Sequence, residues 1–340
     1  MAHAAGAANA VGVTSNTVPW EVLEAAGLTP VVLNPPPGPT PIADRLMEPV
    51  FEMRIRRIFD GLAAGHWPFL KRVIVSRASE PEHKLFLYLK EASRQGLSSS
   101  IPPVELYNLM QSDSEEARAY GLERTRELAQ ASPEALTAAV RGGNRARQML
   151  ARLIELRREA RVSGREALPW IGAYYCMNRG DYAEHMQLAM DGLSARPPLS
   201  GPRLLIEGGP VEGTSLHQAI EAEGAIVVAE NDWWGSRALT RQIVEADDLV
   251  AQIFATYYHA HSPRRMDFGW FNQQLGLVDG VVFYFPPDDD VAGWDYPSLR
   301  QITEARGLPH LLLSASGGDL EIERPRIRAF VQHLGIRHGR

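Results

Sequence analysis

The chain has 340 residues, of which 45% are hydrophobic and 22% charged, and its formal net charge is −6. This is the profile of a globular protein of about two domains with a sizeable core, and its acidic balance argues against nucleic acid as a partner. A single cysteine, Cys176, excludes an internal disulfide and any zinc or iron–sulfur site built from several cysteines of this chain. No apolar run reaches the ~20 residues of a membrane span. The Ala-rich stretch 1–10 lacks the basic start and long apolar segment of a signal peptide, so a cytoplasmic location is expected.

The first half alternates between strand and helix patterns. Val11–Ser15 reads as a strand, Pro19–Ala26 as a helix closed by Gly27, and Pro30–Leu33 as a second strand, which together make a β-α-β unit. The prolines of 35–39 force a loop. Pro49–Ala64 is an amphipathic helix in pattern, Arg72–Ser76 a buried strand, Glu80–Gln95 a helix ended by Gly96, and 100–106 a further strand. Ser114 opens a long helix. Ser132 and Pro133 form a second start, a polar cap followed by a first-turn proline, for a helix through Ala160, and Asp181–Leu193 is another.

After Arg196-Pro197-Pro198 the α/β pattern returns. The expected strands are Arg203–Glu207, Ala225–Ala229, Val278–Tyr284 and Leu308–Ser314. The expected helices are Ser215–Glu223, a long stretch from Ala238 to Tyr258, Phe268–Gly276, Tyr296–Arg306 and Pro325–Leu334. Strands alternating with helices, and reading as continuous apolar runs, predict parallel sheets covered on both faces. The expected division is an α/β module at 1–112, a helical segment at 113–195 and a second α/β module at 196–340.

Ligands of open α/β sheets sit beyond the carboxyl ends of the strands. That rule directs attention to Ser15 and Asn16, Ser76 and Arg77, Glu207 to Gly209, Asn231 to Arg237, Tyr284 to Asp288, and 314–319. Glu207-Gly208-Gly209 begins a glycine-rich strand-to-helix turn, which serves equally as a plain tight turn or as an anion loop. The stretch around Asp232, Trp233, Trp234 and Arg237 places two tryptophans in a polar turn. They read as the wall of a pocket, with Arg237 as a carboxylate or phosphate ligand, or else as a plug over the sheet edge. His259 and His261, two residues apart, do not share a helix face and make a poor metal pair. Asp288-Asp289-Asp290 reads as a solvated loop, as does Glu80, Glu82 and His83 as helix surface. Arg54, Arg56 and Arg57, and Arg157 and Arg158, read as solvated basic faces. Cys176 reads as a small buried residue. No hydrolase elbow, kinase signature or phosphate-loop lysine occurs.

Several local patterns in order resemble one family. Thr14 to Glu21 followed by Glu24-Ala25-Ala26-Gly27-Leu28-Thr29-Pro30-Val31 is similar to the opening of the 2-hydroxyacyl-CoA dehydratase D-component and benzoyl-CoA reductase subunits. So are Ile220 to Val228 with Gly235-Ser236-Arg237, Val278-Asp279-Gly280-Val281-Val282, Gly307-Leu308-Pro309-His310-Leu311, and Arg326-Ile327-Arg328-Ala329-Phe330. The resemblance implies two flavodoxin-like (Rossmann-like) parallel-sheet modules with an intervening helical layer. It implies a dimer with a homologous subunit, an ATP-dependent activator, an acyl-CoA substrate, and a four-iron–four-sulfur cluster held by three cysteines.

The family's cysteine regions correspond here to Pro49–Met53, to Ser76-Arg77-Ala78-Ser79 and to Tyr284-Phe285-Pro286-Pro287, and none holds a cysteine. Oxygen ligands suit iron–sulfur chemistry poorly. The expectation is therefore that this chain binds no cluster, and that any cluster lies in a partner subunit. The alternative is a stand-alone, cluster-free protein, homodimeric or alone, with another ligand in the emptied cavity. The substrate-binding candidates are Asn16, Glu21, Ser76, Arg77, Glu207, Gly208, Gly209, Asp232, Trp233, Arg237 and Tyr284.

Overall fold

A computed structural model describes residues 9–35, 38–77, 79–110, 112, 114–209, 211, 213–232, 235–261, 267–285, 290–314 and 320–338. The chain divides into two compact units. Unit 1 comprises 1–148, 173–185 and 240–264; unit 2 comprises 149–172, 186–239 and 265–340.

Unit 1 is built on four parallel strands, β1 (Ala10–Val13), β2 (Thr29–Val32), β3 (Arg72–Ser76) and β4 (Val104–Tyr107), in the order β2-β1-β3-β4. Its helices begin with α1 (Trp20–Ala25), α2 (Ala43–Leu46), α3 (Met53–Ala63), α4 (Glu80–Arg94) and α5 (Glu115–Leu128). Alternate strand residues feed two apolar clusters. Ala10, Val73 and Val75 pack on one face with Ile58, Phe59 and Leu85, while Val11, Val13 and Ile74 pack on the other with Trp20, Leu23 and Ile253. Burial on both faces is why these strands carry no polar alternation.

Three helices follow, α6 (Pro133–Arg158), α7 (Gly164–Tyr174) and α8 (Arg179–Ser194). Unit 2 repeats the α/β plan. Strands β5 (Arg203–Gly208), β6 (Ile226–Glu230), β7 (Gly280–Tyr284) and β8 (His310–Leu313) are all parallel, in the order β6-β5-β7-β8. Its helices include α9 (Ser215–Ala222), α11 (Phe268–Gln274), α12 (Asp290–Ala305) and α13 (Arg324–His338); α10 (Leu249–His261) belongs to unit 1. Leu204, Ile206, Val227 and Val282 face one apolar cluster, and Leu205, Val228, Val281 and Phe283 face the other. The expected α/β class with two parallel-sheet modules is what the chain forms.

Three local expectations are corrected. The stretch 238–258 is not one helix: α10 starts only at Leu249, capped by Asp248, whose Oδ1 accepts the Ala251 N–H at 3.0 Å. Residues 240–246 form no regular element and are held by side chains instead. The Asn144 side chain donates to Ile243 O (2.8 Å) and accepts from Ile243 N (2.9 Å), and Arg147 Nε donates to Thr240 Oγ1 (2.6 Å). Arg56, Arg57 and Arg157 are buried rather than solvated. Arg56 pairs with Asp44 and donates to Glu48 O, and Arg157 pairs with Glu230 at 2.5 Å. Glu82 is buried as well, for the reason given next.

Candidate functional site

The candidates fall into two sets, one per unit, and both lie at the carboxyl ends of strands. In unit 1 the chain leaves β1 for β2 on one side of the sheet and continues to β3 on the other. The β1/β3 crevice is thus the switch point where such sheets take ligands. The crevice is lined with hydroxyls. Ser15 Oγ is hydrogen-bonded to Ser76 Oγ and to Thr17 Oγ1, each at 2.9 Å, and Thr14 Oγ1 accepts the Ser76 N–H at 3.2 Å. Arg54 of α3 donates to Thr14 O.

Glu82 sits beside this cluster. Ser79 caps α4 and its Oγ accepts the Glu82 N–H (3.3 Å), while the same hydroxyl donates to Glu82 Oε2 (3.3 Å). This reciprocal cap turns the carboxyl inward rather than to solvent. Burial holds Glu82 above the usual carboxylate range, against the opposing Arg54 charge and the nearby Thr14, Ser79 and Ser15 hydroxyls. Its Oε1 makes no hydrogen bond among the described residues.

The other unit 1 candidates make separate contacts. Arg77 is half-buried; its N–H donates to Tyr107 O at 2.9 Å and its guanidinium reaches Asn108 Oδ1 at 3.5 Å. Buried Asn16 donates to the Tyr175 hydroxyl at 3.2 Å. Glu21 is fully buried on α1 in an ion pair with Arg147 at 2.6 Å. Gly143 permits that pair, since a Cβ there would strike the Glu21 carboxylate.

In unit 2 the equivalent switch point is β5/β7. Glu207, at the end of β5, is 2% exposed. Its Oε1 accepts the Asn231 side-chain amide at 3.0 Å, and its Oε2 has no hydrogen-bond partner among the described residues. Burial pushes its carboxyl up to about 8; the Asn231 bond and the Arg237 charge oppose this, and Asp232 and Asp295 add to it. Gly208 has φ 139°, and a Cβ there would meet the Tyr284 carbonyl, which accepts the Gly209 N–H at 2.9 Å. Only glycine allows that close approach.

Tyr284 itself is buried in the apolar cluster. Asp232 Oδ2 accepts the Val211 N–H at 3.0 Å, and its carbonyl accepts the Arg237 N–H, also at 3.0 Å. Trp233 and Trp234, 286–289 and 315–319 lie outside the described residues.

Thr14, Thr17, Arg54, Ser79, Glu82 and Asp295 were not among the sequence candidates. For Glu82 the signal was present as Ser79-x-x-Glu82, the spacing of a capping box. For Arg54 and Asp295 no local signal exists.

A cluster of the kind the family resemblance implies does not fit the groups present. Such clusters are held by thiolates. The Ser76 hydroxyl is buried and bonded to Ser15, and the chain's one cysteine, half-buried Cys176, follows α7. Among the described residues no three His, Cys, Asp or Glu side chains converge as metal ligands.

Two four-stranded parallel sheets, each with polar side chains gathered at its switch point, define a two-module α/β protein. Residues 16–334 match the family described as 2-hydroxyglutaryl-CoA dehydratase, D-component, and the chain belongs to that family. It is also 25% identical over 177 residues to the (R)-phenyllactyl-CoA dehydratase beta subunit of Clostridium sporogenes. That match takes in 48% of this chain and 46% of that subunit, about half the length of each. Among the described residues no helix is long and apolar enough to cross a membrane.

Proposed function

We propose that the chain is a cluster-free subunit of a 2-hydroxyacyl-CoA dehydratase or benzoyl-CoA reductase-like complex, acting on an acyl-CoA thioester beside a homologous cluster-bearing subunit. Family membership supports the dehydratase-type assignment, and the relative's description as a beta subunit supports a partner. The observation that carries the cluster-free reading is the part-buried Ser76–Ser15–Thr17 hydroxyl chain at the β1/β3 crevice. These oxygens satisfy one another and offer no soft ligand to iron.

The test is purification from the native host with the flanking genes expressed. The expected result is co-purification with a cysteine-bearing homologue, with iron and acid-labile sulfide following that partner when the two are separated. Stoichiometric iron and sulfide in this chain alone would sink the proposal.

A second reading is favoured by the buried Glu82 Oε1, which makes no hydrogen bond among the described residues. In it the protein stands alone and the oxygen-rich cavity holds a polar organic ligand. A stable homodimer or monomer without such a partner, stabilised by a nucleotide or another small molecule, selects this reading. Binding at ~100 Kd stabilises by about 2.7 kcal/mol, well within the range of a thermal-shift screen.

A further inference from the structure

The unit 2 crevice contains a group that the fold does not consume. Glu207 stands at the end of β5 beside the β5/β7 switch point, and its Cα partner across that ladder is Phe283. Paired residues project to the same face of a sheet. That face carries an aromatic wall: Phe283 packs on Phe285 and on Tyr296, with ring centroids 6.1 and 5.1 Å apart, and Phe285 packs on Tyr296 at 5.4 Å. Asn231 fixes one carboxyl oxygen of Glu207 and leaves the other buried without a hydrogen bond among the described residues. Native interiors rarely leave such a group unsatisfied, and each exception calls for an explanation, of which a catalytic or ligand-binding role is one. The charged groups acting on Glu207 are Arg237 from the turn after β6, Asp232 from the same turn, and Asp295 from α12.

The protonation state decides what this oxygen can do. An ionised carboxylate only accepts hydrogen bonds, whereas a protonated one donates. A carboxyl held neutral by an apolar site is a donor suited to a carbonyl oxygen. Asn231 is compatible with this role, because its amide occupies Oε1 and leaves Oε2 to carry the proton.

We propose that Glu207 is a binding residue whose Oε2 hydroxyl donates a hydrogen bond to the thioester carbonyl oxygen of an acyl-CoA at the β5/β7 crevice of unit 2. This rests on the acyl-CoA reading above, and it adds where in the chain the acyl head is recognised and by which atom. The close backbone approach at Gly208 keeps side-chain bulk away from the strand end.

Acetyl-CoA and CoA differ at the thioester, so their affinity ratio reads this contact. Calorimetric titration of the full chain with each, at pH 6.5 and 9.5, tests it. In the wild type the preference for acetyl-CoA is expected to fall by about tenfold per pH unit above about 8, as the donor is lost. Glu207→Gln keeps an N–H donor and cannot ionise, so it is expected to keep the preference at both pH values. Glu207→Ala is expected to lose the preference at both while binding CoA as the wild type does; that CoA arm also reports that the variant is folded.

A wild-type preference unchanged by pH overturns the proposal, as does the wild-type pH dependence persisting in Glu207→Gln. Binding of neither compound by the wild type overturns the proposal together with the acyl-CoA reading on which it rests.

Discussion

Replacing Arg157 by methionine tests how unit 2 is held together. Arg157 and Glu230 are 2% and 0% exposed, paired at 2.5 Å, and Arg157 Nε also donates to Val227 O at 2.9 Å. His217 Nε2 lies 2.7 Å from the other Glu230 oxygen. Burial acts to raise the Glu230 carboxyl, but the Arg157 charge and the His217 contact outweigh it and bring it down to about 2. Removing one member of a buried pair leaves an uncompensated charge, at a cost of about 3–5 kcal/mol. For a unit of this size that lowers the midpoint by roughly 6–20 °C at 2–4 °C per kcal/mol.

Proton linkage fixes the sign of the pH effect. A carboxyl with a depressed native pKa contributes stability that is present above its ordinary value of 4.5 and lost as pH falls towards 2. Without Arg157 the depression is relieved, so the variant's deficit should shrink as pH falls from 7 to 4, through the ordinary value of 4.5. Adding Glu230→Gln should recover a substantial part of the loss at pH 7. Urea unfolding at both pH values measures these quantities. A loss below about 1 kcal/mol, where exposed pairs fall, or a deficit that grows on acidification, would refute the account.

Further outcomes follow from the same geometry. Gly208→Ala should destabilise by more than the ~1–3 kcal/mol of an unfavourable backbone region, because its Cβ also meets the Tyr284 carbonyl; denaturant midpoints check this. Glu24 is raised by burial to about 7, against Arg179 and the Trp20 bond. A raised carboxyl favours the fold below 4.5 and loses that contribution as pH rises through 7. The wild type should therefore lose stability between pH 5 and 8 relative to Glu24→Gln, as read by thermal melts. Ser79→Ala removes the α4 cap and should cost ~1 kcal/mol, measured by chemical unfolding.

Legibility from sequence followed the range of the interaction concerned. Strand β3 was readable to the residue, because Arg72–Ser76 is a bounded apolar run between turn signals. The start of α4 was equally local, a serine cap followed by a first-turn proline. The stretch 240–246 was misread because its composition suits a helix, while its actual state is set by the Asn144, Arg147 and Arg141 side chains a hundred residues earlier. Propensity is a weak prior that such contacts override. Arg56 failed similarly: its partners Asp44 and Glu48 O lie in the preceding α2 region, and spacing alone does not show that they fold over it. At the candidate site, the strand-end rule found Ser76 and Glu207, but their states depend on Ser15, Glu82 and Asn231, which converge only in three dimensions.

The two crevices share a chemical character that constrains what either can hold. Each presents a buried carboxyl kept above its ordinary range, Glu82 in one and Glu207 in the other, and each has an arginine nearby, Arg54 and Arg237. Burial disfavours ionisation of both carboxyls, and a carboxyl that resists ionising is a weaker ligand for a hard cation, which takes ionised oxygens. It is also no substitute for a thiolate. Titrating the protein at pH 7 with magnesium, and separately with ferrous iron and sulfide under anaerobic conditions, should therefore give no thermal stabilisation and no visible charge-transfer band. A single Ser76→Cys exchange should not reverse this, because one thiolate cannot hold a cluster. Its expected effect is only the ~1 kcal/mol of the lost Ser15 bond. Stoichiometric iron in that variant would show instead that the crevice still provides the remaining ligands.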